Sequence, residues 1–282
     1  MKRLLLLLPL YGLLAGTALA NRSTEVEAST LVTGTIVVAP DGHVRSYAVD
    51  QPEKVTPAVL ALIGKYVPTW RFQPVLVEGK PVTAKAVMSL RLVARKTTHG
   101  DYTVRISGAS FGHGAPNAQL TYKNRRAIPS YPRELVREGV GGTAYLVLKI
   151  DSQGRVANAA AEQVDLTVKG DNVQMRRWRE ILASSALEAA AKWTFNTPAS
   201  GQSAAANYWF ARVPVTYWLH RVDGPDDTLR YGQWHAYVPG PRELIPWLNP
   251  AVVASGSADA VPENGIQPLD AGLRLATPLT GG

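Results

Sequence analysis

Five histidines, His43, His99, His113, His220 and His235, are the side chains best suited to proton transfer or metal binding near neutral pH. No two are spaced as His-x-x-x-His, and the chain has no cysteine, so no familiar ligand set is present. Serine is frequent, but no Gly-x-Ser-x-Gly elbow occurs. Asp41 and Asp151 could act as paired carboxylates in acid–base chemistry. Each lies in an Asp…Gly turn, where Asp is favoured for bonds to its own backbone. The glycine-rich run Phe111-Gly112-His113-Gly114-Ala115-Pro116 lacks the lysine and the following helix that a phosphate cradle needs. Arg176, Arg177 and Arg179 could hold phosphate or acidic glycans, or could form a solvated helix face. Trp70 and Trp193 could stack on sugars or peptides, but each ends an apolar helical stripe, where core packing is expected. No nucleophile–base pair emerges. The expectation is no catalytic residue, no metal and no cofactor.

The termini and the charge set the context. Met1-Lys2-Arg3 is basic, Leu4 to Leu14 is mostly apolar, and Ala18-Leu19-Ala20 is a small-x-small signal. This is the pattern of a secretory signal peptide over residues 1–20, too short for a comfortable membrane span. The expected location is the periplasm, with no stable span after cleavage. The net charge of +8 falls to +6 without Lys2 and Arg3. From Asp223 onward there are three basic and seven acidic residues, so the positive charge lies earlier in the chain. A dense basic stripe is absent, which argues against nucleic acid as a partner.

Two segments of the chain share one order of elements. Residues 31–95 read as a strand (Gly34 to Val38), a Pro40-Asp41-Gly42 turn and a return strand (Val44 to Val49). A helix follows, with Thr56 as N-cap, Pro57 at its first position and Leu60, Ile63, Val67 and Trp70 on one face. The unit ends in a half-buried strand from Val82 to Val93. Residues 122–219 read as a short helix opened by Pro132 and ended by Gly139, a strand from Thr143 to Ile150 and the turn Asp151-Ser152-Gln153-Gly154. The return strand begins at Arg155 and gives way to a polar excursion from Asn158 to Asn172. A long helix follows, with Met175, Trp178, Leu182, Ala186, Ala189 and Trp193 at helical spacing. The last strand is Tyr208 to Leu219. Gly34-Thr35…Asp41-Gly42 matches Gly142-Thr143…Asp151…Gly154, and Trp70-Arg71-Phe72 matches Trp193-Thr194-Phe195, which suggests a tandem duplication. Residues 96–121 read as a linker, with at most a short strand at Thr103 to Ile106. Residues 220–282 read as a Pro/Gly-rich, partly disordered tail.

These residues resemble a known family. Pro129-Ser130-Tyr131-Pro132, then Gly-x-Ala-x-Leu-x-Leu-x-Ile-Asp-x-x-Gly-x-Val from Gly142, Ala-Ala-x-x-Trp-x-Phe from Ala189 and Val-x-Val-x-Tyr from Val213 together resemble the TonB C-terminal domain. The likeness covers residues 129–219 well. It is weaker over 31–95, where no Tyr-Pro helix precedes Gly34. The resemblance implies an α+β fold with two small domains, each a three-stranded antiparallel sheet with helices packed on one face. It also implies docking to an extended peptide of an outer-membrane transporter, or to another envelope protein, by strand addition at a sheet edge. The candidate edge is Ala211, Arg212, Val213, Val215, Thr216 and Tyr217 in the last strand. Pro214 within it suits an edge, because its missing donor can point outward, but it also limits added pairing. Self-association is a further expectation, since members of the family exchange strands. The anchor and long proline-rich spacer of an energy transducer are not seen, so no transmitted force is expected. The alternative function is a peptidoglycan or cell-envelope binding module that uses Trp and Arg faces.

Overall fold

The computed structural model describes residues 26–113, 120–198, 206–219, 231–249, 256–269 and 272–279. The expected signal peptide and His220 lie outside the described residues. In chain order the elements are β1 (Glu27–Val38), β2 (Val44–Val49), α1 (Pro57–Tyr66), β3 (Val75–Val77), β4 (Lys80–Val82), β5 (Ala84–Lys96), β6 (Tyr102–His113), β7 (Thr121–Asn124) and α2 (Arg133–Glu138). Then come β8 (Gly142–Asp151), β9 (Val156–Leu166), α3 (Asn172–Ala190), β10 (Thr194–Asn196), β11 (Tyr208–Tyr217), β12 (His235–Tyr237) and β13 (Gln267–Pro268). The fold is mixed α/β, and its strand pairs are antiparallel. Among the described residues no helix is long and apolar enough to cross a membrane.

The first sheet has five strands, with β1 at its centre. β1 pairs with β5 along nearly its whole length, and its other edge is shared by β12 near its start and β2 near its end. β6 lies outside β5. The second sheet has four strands in the order β13-β11-β8-β9. Each sheet therefore exceeds the expected three strands, and the extra strands come from the segments read as linker and tail.

β6 occupies the middle of residues 96–121. Its buried residues Ile106 and then Ala109 and Phe111 change phase at Ser107, an unpaired bulge opposite the Arg91–Leu92 step. A bulge breaks a two-residue alternation, which hid the strand in the sequence. β9 likewise runs through the expected polar excursion. Glu162, Gln163 and Asp165 are buried within it, each held by groups distant in the chain or on the same strand.

One turn recurs in both halves. Ala39 N–H donates to His43 C=O, and Gly42 N–H donates to Ala39 C=O, each with a counterpart at Asp151, Arg155 and Gly154. Gly42 and Gly154 have φ of 87° and 77°. Phe72 N–H donates to Gly42 C=O, and Phe195 N–H donates to Gly154 C=O. Counting from this turn, Ala39 stands where Asp151 does, and Gly34 stands four residues from the position of Gly142. The sequence match at Gly34-Thr35 was therefore displaced.

The helix stripes fall close to expectation. Ile63, Val67 and Trp70 join the core of the first sheet, but Leu60 is only partly buried and Val59 takes the buried place beside them. Met175, Trp178, Leu182, Ala186, Ala189 and Trp193 join that of the second. Asp171 opens α3 with a capping box, its carboxylate taking the N–H groups of Val173 and Gln174. Gly139 ends α2 with φ 70°. Pro132 stands at the N-cap of α2, one position earlier than expected. The helix-free faces of the sheets touch where Arg91 of β5 reaches Tyr145 of β8, and the described parts of residues 231–279 pack against both sheets. Tyr237, Val238, Ile245, Leu248, Ala258, Ala260, Val261, Leu269 and Leu273 are buried, in the stretch the sequence had suggested was partly disordered.

Candidate functional site

The last long strand, β11, carries the six residues predicted as an edge. It pairs with β8 over ten residues without a register shift. On its outer side, Ala211 lies opposite Pro268 and Arg212 opposite Gln267 of β13, and Leu269 N–H donates to Phe210 C=O. Backbone groups of alternate residues point to the same edge of a strand. The Phe210 bond therefore assigns the outward-facing groups to Tyr208, Phe210, Arg212, Pro214 and Thr216. Pro214 directs its missing donor outward, so the ladder to β8 loses nothing.

The other four named residues, Ala211, Val213, Val215 and Tyr217, turn their backbone groups to β8. Their side chains belong to the core under α3. Arg212 and Thr216 are the members of the predicted set whose backbone faces outward. Pro214, read from the sequence as suiting an edge, lies on it as well. Tyr208 and Phe210 share that edge and were not named; the two-residue alternation counted from Pro214 could have identified them.

Beside Pro214, Val215 and Thr216 runs a groove of about 320 Å³, lined also by Arg125, Ile128, Pro129, Glu263 and Asn264. Ile128 is 82% exposed at this rim. Arg125 donates from Nη1 to Asn264 Oδ1 at 2.8 Å beside it. Among the described residues no strand pairs with the outer edge of β11 beyond Arg212.

Arg212 is fully buried on the face opposite the helices. Its Nε and Nη2 donate to Glu162 at 2.6 and 3.0 Å, and Nη1 donates to Gln267 Oε1 at 3.2 Å. Glu162 also accepts from Arg242 Nε at 2.6 Å. Glu162 is one of two bulge residues of β9, unpaired between the partners of Tyr145 and Leu146, and the bulge aims its carboxylate across the sheet.

A second polar cluster joins the sheets. Arg91 of β5 donates to the Asp259 C=O at 2.8 Å, to Ser29 Oγ at 3.3 Å and to Tyr145 Oη of β8 at 3.2 Å. Tyr237 Oη donates to Asp259 Oδ2 at 2.6 Å. Asp165 Oδ1 accepts from Gln163 Nε2 and Gly240 N–H, both at 2.8 Å, while its Oδ2 is buried without a hydrogen bond. Burial, followed by the nearby Asp259 carboxylate, pushes the Asp165 carboxyl up to about 7. A cavity of about 200 Å³ between the sheets touches Arg91, Tyr145, Asp165, Tyr237 and His235.

The remaining candidates fall into structural places. Asp41 accepts from His43 N–H, and Asp151 accepts from Gln153 and Arg155 N–H. These backbone bonds, first among the causes, hold both carboxyls below the usual value. Trp70 and Trp193 are each 1% exposed, and their indole N–H groups donate to Leu279 and Ala127 C=O. Neither ring offers a stacking face to solvent. Arg177 pairs with Glu134, and Arg179 donates to Val164 and Pro239 C=O. His113 is in β6, His43 and His99 are exposed, and His235 is in β12.

Over 93 residues the chain is 34% identical to Protein TonB of Xanthomonas campestris pv. campestris strain B100. It has the same identity over the same length to Protein TonB of strain ATCC 33913 of that pathovar. The matched stretch takes 33% of this chain and spans 35% of the length of those curated relatives. No family profile matches, and no solved structure matches. The chain thus contains a TonB-related region.

Proposed function

We propose that this protein is a periplasmic, non-catalytic protein-interaction module that docks an extended segment of an outer-membrane transporter, or of another envelope protein, on the outer edge of β11. The observation that carries the reading is the β11 edge itself. Its outward backbone groups run from Tyr208 to Thr216, with the Ile128–Pro129 groove beside Pro214 and Thr216, in a chain with a TonB-related region. Backbone pairing supplies affinity with little demand on partner sequence, and the groove supplies a place for side chains.

The finer reading is of two TonB-C-like units in tandem. Each half centres on one strand, β1 or β8, flanked by the hairpin partner and by the strand that follows the helix. The shared turn, its left-handed glycine and its bond from the second aromatic of Trp-x-Phe support this reading. The peptidoglycan alternative loses its aromatic platform, because Trp70 and Trp193 are core residues.

A photo-crosslinking residue at Thr216 in the exporting cell tests the docking reading. The expected product is a covalent adduct with an outer-membrane or periplasmic protein that disappears when the crosslinker is moved to Val173 on α3. Identical adducts from both positions, or none from Thr216, would overturn it.

A further inference from the structure

The most usable part of the β11 edge is already occupied. Phe210 and Arg212 each present both an N–H and a C=O outward, whereas Pro214 presents no N–H and Thr216 stands alone beyond it. A strand arriving from outside finds adjacent donor–acceptor sets only in the run Tyr208, Phe210 and Arg212, and every adjacent pair of them includes Phe210. β13 sits there. Its ladder is two residues long, against ten between β11 and β8. Short ladders open most readily.

The way β13 sits describes its ligand. Gln267 reaches the Arg212 guanidinium with its amide oxygen. Pro268 stands opposite Ala211 at a non-hydrogen-bonded position, where its missing donor faces away from β11. Leu269 is 1% exposed, in a cluster with Val147, Ile245 and Leu248. When Gln267 leaves, Arg212 keeps its two bonds to Glu162, so opening strands no buried cation.

We propose that Gln267-Pro268-Leu269 is a built-in competitor for the docking edge. The partner that replaces it is an extended segment of like chemistry: an acceptor side chain facing Arg212, a residue that spends no donor opposite Ala211, and an aliphatic side chain entering the Leu269 site. This rests on the docking reading above. It adds that docking and the tail are mutually exclusive.

The chain has no cysteine, so a single disulfide can lock the tail without side reactions. Residues directly opposite at a non-hydrogen-bonded antiparallel position approach closely enough for one. The experiment uses full-length Ala211→Cys/Pro268→Cys protein and, as probe, a labelled synthetic peptide copying residues 263–271. The reduced form is expected to bind the peptide at least about tenfold more tightly than the oxidised form. Full-length Leu269→Ala, with its own strand weakened, is expected to bind at least about tenfold more tightly than the unsubstituted chain. A peptide with Asp in place of Leu269 is expected to lose that gain. Hydrogen exchange at the Phe210 and Arg212 amides provides a readout without peptide, and is expected to slow in the oxidised form.

Equal binding and equal exchange in the oxidised and reduced forms would make β13 a permanent strand and overturn the inference. The docking reading fails separately, if opened forms take the tail peptide while Thr216 yields no envelope adduct in cells.

Discussion

Asp165 is a carboxyl at the meeting of two sheets, with Gln163 and Gly240 donating to one oxygen and nothing donating to the other. The charged and titratable groups around it are Asp259, Arg91, Tyr145, Tyr237 and Arg179. Because its folded value is raised to about 7, the folded chain holds a proton there that the unfolded chain has released. Its contribution to stability is therefore full below the ordinary carboxyl value and is lost as pH rises to about 7. Asp41 and Asp151 act in the opposite sense and at lower pH, since their values are depressed. The Asp165→Asn variant keeps an oxygen for both donors and removes the titration. Relative to the wild type, its thermal midpoint is expected to gain steadily between about pH 5 and about pH 7.5. A constant difference across that range would place the titration elsewhere.

Among the elements, the two hairpin turns depend most on a single residue type. A Cβ on Gly154 would lie 2.0 Å from Phe195 C=O, and one on Gly42 would lie 2.1 Å from Phe72 C=O. Both backbones are left-handed, so strain adds to the clash. Gly154→Ala and Gly42→Ala are each expected to lose at least about 2–3 kcal/mol in urea unfolding. Gly139, also left-handed but with open space around it, is the control and is expected to lose about 1 kcal/mol as Ala. Equal losses at all three sites would mean that the close approach to the Phe carbonyl contributes nothing. These turns, and the stripes of α1 and α3, were legible in the sequence because both are local patterns. β6 and β9 were less so. In β6 a bulge shifts the alternation at Ser107. In β9 the polar residues Glu162, Gln163 and Asp165 resemble a loop until Arg212, Arg242 and Gly240 are brought to them.

At the scale of the molecule, the described residues from 231 onward hold the two sheets together. β12 extends the first sheet, β13 extends the second, and Asp259 takes bonds from Arg91 and Tyr237. Arg91 is the cation bonded across this junction, and Arg91→Met would remove it from beside the buried Asp165 and Asp259. The expected loss is about 3–5 kcal/mol in denaturant unfolding, the scale for removing one partner from a buried charged group. A loss below about 1 kcal/mol would show that the junction is indifferent to that charge.

The amino-acid sequence alone determined where the chain turns, which faces of its two main helices are apolar, and that β11 ends a unit with a proline suited to an edge. Each of these follows from backbone preferences and side-chain spacing over a few residues. Only the tertiary structure decided that the edge is half covered, that Arg212 lies inside, and that the acidic tail is a structural part of both sheets. Those outcomes depend on pairs such as Arg212 with Glu162 and Phe210 with Leu269. Such partners lie tens of residues apart, and a polar group's burial becomes favourable only once its distant partner has arrived.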